Sequence, residues 1–316
     1  MPRPAPPAPT PAARLRSDLR PTDRIHLLFY AAVLFLTVVR SGAIPEPWKP
    51  LAWYGSALFA TLGFARLLRG RTGAWAVVPR VLASFVLAPI SYLMLSFVVP
   101  YVNPWHGERL LYDIDTALFL GHNPNVMLDR YTWPPLTELL QFIYATYYVI
   151  PLVLLTCFLL ERKIGALDRG HFGIMLCLYG SYLGYFLIPA TGPNINALGL
   201  FPPYFSDPQP GLWIAERLRA SLLEAEWIKH DCWPSGHTAL SFTAVVLAHR
   251  ERSRAAFLLL LAPVILLIFS TMYLRQHYVI DVLCGLALAA VVLRYAPALR
   301  ARWGADDGSP LRPPAA

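Results

Sequence analysis

Apolar residues are gathered into long runs at roughly 25–42, 51–68, 79–100, 137–160, 171–190, 235–249, 254–274 and 277–298. A helix of about 20 mainly apolar residues crosses a hydrocarbon core roughly 30 Å thick, so each run is a candidate membrane span. The sixth is the weakest by hydropathy, being short and interrupted by polar residues. Two long segments, around 101–136 and 190–234, separate the runs. In the second, Ile214, Leu218, Leu222 and Ala225 recur at helical spacing opposite Glu216, Arg217 and Arg219. That pattern predicts a short helix lying in the membrane interface, anchored by Trp213 and Trp227.

Composition agrees with a membrane chain. Of 316 residues 56% are hydrophobic and only 15% charged, and the mean hydropathy is +0.46, values outside the range of ordinary soluble domains. With the amino terminus in the cytoplasm, the segments between the runs place 19 of the 27 basic residues inside. The eight outside are Arg40, Lys49, Arg109, Arg130, Arg217, Arg219, Lys229 and Arg275. This is the positive-inside bias, and removing the sixth span would scramble it. The net charge of +8 follows from the same bias, and no basic stripe interleaved with aromatics points to nucleic acid. The expectation is an all-α, polytopic protein of a bacterial inner membrane, with about eight transmembrane helices and both termini cytoplasmic. Residues 1–22, rich in proline and alanine, are expected to be a disordered tail, and 301–316 a second cytoplasmic tail. Cys157, Cys177 and Cys284 lie in apolar runs as small hydrophobes, Cys232 does not, and no disulfide framework or CxxC metal knuckle is visible.

Candidate chemistry sits at the outer ends of the sixth and eighth runs, in HDCWPSGHTALS (230–241) and YLRQHYVIDVLCG (273–285). His277 and Asp281 are four apart and share a helix face, where the carboxylate can hold the Nδ1 proton and free Nε2 as nucleophile. Pro234 and Ser235 suit a helix start, and Gly236 allows an anion to approach the backbone. His237 comes from another helix and can act as the acid. This set suits phosphoryl transfer through a phosphohistidine, with no metal and no cofactor. His230, Asp231, His237, His277 and Asp281 also offer zinc ligands, the basis of an alternative reading as a metal hydrolase. A non-enzymatic lipid transporter is a third. His26, His106, His122, His171 and His249 read as satisfied structural residues, and Tyr144, Tyr147 and Tyr148 as packing or interface residues.

PSGH followed some forty residues later by HxxxD resembles the type 2 phosphatidic acid phosphatase superfamily. HYVIDV with SGHT before it, and YDIDTALFLGHNPN, are similar to the inositol phosphorylceramide synthase and sphingomyelin synthase-like branch. The resemblance implies a six-helix catalytic core over 77–300, with 23–76 as two additional N-terminal helices, and an extracytoplasmic active site. It implies catalytic roles for His237, His277 and Asp281, and a phospholipid or sphingolipid-type substrate met in the bilayer. Two of the family's cations are missing: Thr271 stands where an arginine is expected, and ATGPNINALG holds Asn194 and Asn196 instead of a Lys-x6-Arg-Pro element. A phosphomonoester dianion loses more by this than a diester monoanion, which favours phospho-headgroup transfer over the alternative, a lipid phosphate phosphatase. Ser235, Gly236, Asp231, Lys229, Arg275 and Asn194 are the candidate phosphate or substrate contacts, with Arg217 and Arg219 as further replacement cations.

Overall fold

A computed structural model describes residues 19–225 and 228–304, and among them every regular element is helical. α1 (Pro21–Val39), α2 (Trp48–Leu67) and α3 (Ala74–Leu95) lead into a connection holding the short α4 (Val99–Val102), α5 (Glu108–Leu118) and α6 (Pro124–Asp129). α7 (Pro134–Ala145) and α8 (Ile150–Leu160) are joined through a 3-10 turn, and α9 (Ile164–Leu187) follows. After the second long connection, which contains α10 (Ala215–Ala225), come α11 (Gly236–Arg250), α12 (Arg254–Tyr273) and α13 (Val279–Arg302).

Each apolar run contains a helix, but length and composition support fewer crossings than eight. α1, α3, α12 and α13 are long and apolar enough to span, and α7 with α8, bent by 56°, makes a fifth if the pair is one span. α11 has 15 residues, which at 1.5 Å per residue is short of a full core. α2 and α9 are long, but glycine, alanine and polar residues dilute their apolar character. These helices fit a multi-pass membrane protein, and the outer surface agrees: Phe59 and Leu160 are 73% and 77% exposed, an arrangement that suits lipid chains and not water. α1 begins at Pro21, so the tail expected over 1–22 is already helical at its end, and residues 1–18 lie outside the described part. So do 305–316, Trp227 and the side chain of Ala225. A short helix does form in this segment, over Ala215–Ala225, and the Glu138 carboxylate accepts from the amides of Leu212, Trp213, Ile214 and Ala215 at 2.7 to 3.2 Å. A carboxylate at a helix N-terminus satisfies orphan donors and opposes the dipole. It fastens α10 to α7.

The ends of the bundle differ. At one, buried charges pair: Arg80 Nε lies 3.0 Å from both oxygens of Asp23, and Arg300 reaches Asp168 at 2.9 Å. Nearby, His26 and His171 both place Nε2 at 2.8 Å from Ser84 Oγ, tying α1, α3 and α9 together. At the other end two glycines let the chain pack closely. A Cβ on Gly184 would come within 2.2 Å of the Pro234 ring, and one on Gly285 within 2.6 Å of the Ser235 carbonyl. The PSGH turn is therefore wedged between the end of α9 and the start of α13, and its position is set by backbone contact rather than by a flexible side chain.

Candidate active site

The turn ends in a helix cap: Ser235 is N-cap of α11 and its Oγ accepts from Thr238 N at 3.3 Å. The first amides of α11 have no intrahelical acceptor and point out of its N-terminus. Ser235 N donates to the Asp281 carbonyl at 3.1 Å, which couples α11 to the first turn of α13. His277 lies before α13, not on it, so the helical i, i+4 repeat expected from the sequence is not what pairs it with Asp281. Asp281 is instead the third residue of α13, and its Oδ2 accepts from Tyr278 N at 2.9 Å. That capping oxygen also faces His277 Nδ1 at 3.5 Å. The turn that delivers His277 is held by its own backbone: His277 N donates to Thr271 O at 3.0 Å, and Asn125 Nδ2 donates to His277 O at 3.1 Å.

His277 Nε2 and His237 Nδ1 are 3.3 Å apart. With Nδ1 of His277 facing an acceptor carboxylate, its proton belongs there, so Nε2 carries the lone pair and His237 Nδ1–H donates to it. The His237 ring is gripped by Tyr144 and Tyr147, with centroids at 4.7 and 4.1 Å. Two spaces meet at this pair. A cavity of about 260 Å³, lined by Tyr92, Tyr147, Tyr182 and Tyr185 and by apolar side chains of α3, α8 and α9, ends at Asp231 and His237. A cleft of about 30 Å³ lies beyond, lined by Asn194, Lys229, Asp231, Cys232, His237 and His277 among others.

The candidate contacts therefore separate. Lys229, Asn194 and Asp231 line the cleft with both histidines, and Gly236 lines the larger cavity. Arg275 is engaged elsewhere. Its guanidinium pairs with Asp129, donates to the carbonyls of Tyr204, Phe205 and Asp207, and lies 4.2 Å over the Phe205 ring. Arg219 donates to Gln209 O at 2.9 Å. Asp231 accepts from the Tyr92 hydroxyl, and burial pushes its carboxyl up against that bond and the nearby His277. Burial pushes His230 down, and its ring lies tilted by 47° to that of His106, with centroids 6.2 Å apart.

Four contributors were not legible as site residues. Cys232 Sγ donates to Asp281 Oδ2 at 2.8 Å and lies 3.5 Å from His277 Nδ1; burial and the adjacent Asp281 carboxylate push its thiol well up. Tyr144 and Tyr147, read from the sequence as packing residues, do pack, but against His237. Asp115, from YDIDT, accepts from Val279 N at 2.7 Å and Ile280 N at 2.8 Å, bracing the first turn of α13. The signal for Asp115 was an acidic residue in an apolar loop, but its partner lies 164 residues away.

Burial pushes Asp115 up to about 6 from an ordinary value of 3.8, against the pull of the two amides. A carboxyl whose pKa rises on folding binds its proton more tightly in the native state. Its stabilising contribution is thus full below about pH 4 and lost as pH rises through 6. Asp115→Asn cannot titrate, so the wild-type advantage in melting temperature over this variant should shrink between pH 4 and 6 and then level off. Thermal unfolding of the detergent-solubilised proteins across that window measures it; a gap independent of pH would contradict the assignment.

The sequence has counterparts among known proteins. The chain belongs to the PAP2 superfamily, whose family model matches residues 109–295, a stretch that contains both histidines and Asp281 and begins after α4. The chain is also similar to a PA-phosphatase related-family protein of Dictyostelium discoideum, 25% identical over 198 residues. That similarity covers 57% of this chain and 35% of the relative, so the chain spans about a third of the relative's length. No solved structure matches it.

Proposed function

We propose that this protein is a membrane lipid phosphoester enzyme that moves a phospho-headgroup between lipids through a phosphohistidine on His277, in the manner of inositol phosphorylceramide synthase. The observation that carries this reading is the 3.3 Å approach of His277 Nε2 to His237 Nδ1, with a largely apolar cavity reaching His237 and a polar cleft lined by both histidines. In the first half-reaction Nε2 of His277 attacks phosphorus, the bond to the leaving oxygen breaks, and His237 supplies that oxygen with a proton. Asp281 holds the Nδ1 proton and stabilises the imidazolium. In the second half an acceptor hydroxyl attacks phosphorus, His237 takes its proton, and the N–P bond breaks. The amides at the start of α11 with Ser235 and Gly236 receive the phosphoryl oxygens, and Lys229 and Asn194 contact the headgroup.

In this reading all eight long helical segments cross a bacterial inner membrane with both termini cytoplasmic, and the site opens on the extracytoplasmic face. Residues 77–300 form the six-helix catalytic core and 23–76 two additional helices. Lys229 is the cation that lines the cleft, and Arg275 is spent on Asp129 and a loop; a cleft so short of cations suits a phosphodiester monoanion better than a monoester dianion. The second reading, a lipid phosphate phosphatase, is favoured by the name of the Dictyostelium relative. Purified protein given a labelled phospholipid donor and candidate lipid alcohols distinguishes them. A labelled lipid carrying the transferred headgroup is expected, and release of free phosphate as the main product would select the phosphatase.

A further inference from the structure

Asp281 Oδ2 is not held by His277 alone. Cys232 Sγ, His277 Nδ1 and Asp281 Oδ2 form a compact triangle, with Sγ to Oδ2 at 2.8 Å, Sγ to Nδ1 at 3.5 Å and Nδ1 to Oδ2 at 3.5 Å. Among the described residues these three bring their ligand atoms within 4.8 Å of one another. His230, Asp231 and His237, the other zinc ligands considered from the sequence, are not part of that group. A tetrahedral zinc with bonds of about 2.3 Å to sulfur and 2.0–2.1 Å to nitrogen and oxygen has ligand-to-ligand edges of about 3.3–3.6 Å. Two of the three edges already have that length. The third is short because the thiol proton lies along it, and it needs to open by about 0.7 Å when a metal takes the proton's place. Asp281 Oδ1 has no hydrogen-bond partner and is buried, which leaves the carboxylate a second oxygen for a cation.

From this arrangement we infer that Cys232, His277 and Asp281 form an inhibitory site for a soft or borderline divalent cation such as zinc or cadmium. The inhibitory part of this inference rests on the assignment of His277 as nucleophile. The cation displaces the proton of the Cys232 thiol, which leaves to solvent, and binds His277 at Nδ1. The imidazole proton that sat on Nδ1 moves to Nε2, so the lone pair that would attack phosphorus becomes an N–H, and His237 shifts its own proton from Nδ1 to Nε2 so that its Nδ1 accepts from that N–H. No electron is transferred. Thiolate and carboxylate carry two negative charges and the cation two positive, so the filled site is neutral, which lowers the cost of holding an ion in a buried place. Asp231, on the wall of the adjoining cleft, offsets the positive charge of Lys229 along the way in.

The full-length protein in detergent, titrated with cadmium, tests the inference by two readouts. Wild type should show thiolate-to-cadmium charge-transfer absorption saturating at one equivalent above the signal of Cys232→Ser, because Cys157, Cys177 and Cys284 are common to both. Half-inhibition of lipid turnover, relative to each protein's own metal-free rate, should shift up by about a hundredfold or more in Cys232→Ser, whose hydroxyl is a poor ligand for a soft cation. Cys232→Ala provides the same comparison if the serine variant does not fold. Equal absorption and equal half-inhibition in wild type and variant would overturn the site. Stoichiometric absorption without inhibition would overturn the inhibitory role and count against His277 as nucleophile, while leaving the triangle as a ligand set. Loss of activity on chelation, restored by zinc, would make the metal catalytic and overturn the inference.

Discussion

His277→Ala should lower lipid turnover by at least about 10³–10⁴-fold, since the variant loses the attacking atom rather than one of its supports. The substitution leaves the local fold its ties, because the contacts that position this turn run through the backbone: His277 N to Thr271 O at 3.0 Å and Asn125 Nδ2 to His277 O at 3.1 Å. A loss of rate without loss of melting temperature is therefore the expected pair of results. Rapid quenching with a donor labelled at phosphorus provides a direct reading. Wild type should trap a protein-bound phosphoryl group that survives alkali and is released by acid, as a phosphoramidate is, and His277→Ala should trap none. Turnover at the wild-type level in the purified variant would end the phosphohistidine proposal.

His237→Ala should cost about 10²–10⁴-fold with a natural lipid donor, the range for removal of a general acid. The alternative, that His237 merely packs between Tyr144 and Tyr147, predicts a similar fall for any substrate. Leaving-group chemistry separates the two. A donor that expels a nitrophenolate needs no proton at its leaving oxygen, so most of the lost rate in the first half-reaction should return. The phosphorylated protein should then accumulate, because the second half-reaction lacks its base. A deficit of the same size for natural and nitrophenyl donors would make His237 structural.

How these residues were recognised differs from case to case. The apolar runs located the helices, since burial in lipid demands continuous hydrophobic stretches whatever the tertiary arrangement. They did not settle how many cross: α11 is 15 residues long, and α7 with α8 bends by 56°. PSGH read correctly as a helix start because proline and serine act locally through the backbone. Arg275 read as a spare cation because its charge is visible in the sequence and its partner, Asp129, is not. Cys232 read as one dispersed cysteine, because a thiol acquires its role only from the carboxylate and imidazole placed beside it.

The sequence by itself determined the helical, apolar character of the chain and the PSGH cap, each of which rests on local pattern, and it singled out His237, His277 and Asp281 as candidates. Tertiary structure decided the rest. It seats Asp281 as the cap of α13 facing His277, and wedges PSGH between Gly184 and Gly285. It closes Tyr144 and Tyr147 on His237, commits Arg275 to Asp129, and brings Cys232 onto the Asp281 carboxylate. The physical reason is distance along the chain. Hydrophobicity and capping act over one helix turn, whereas most of the contacts that select among polar side chains join residues forty or more positions apart, where only packing chooses the partner; His277 and Asp281, four apart, meet because the turn before α13 is tied to Thr271 and Asn125.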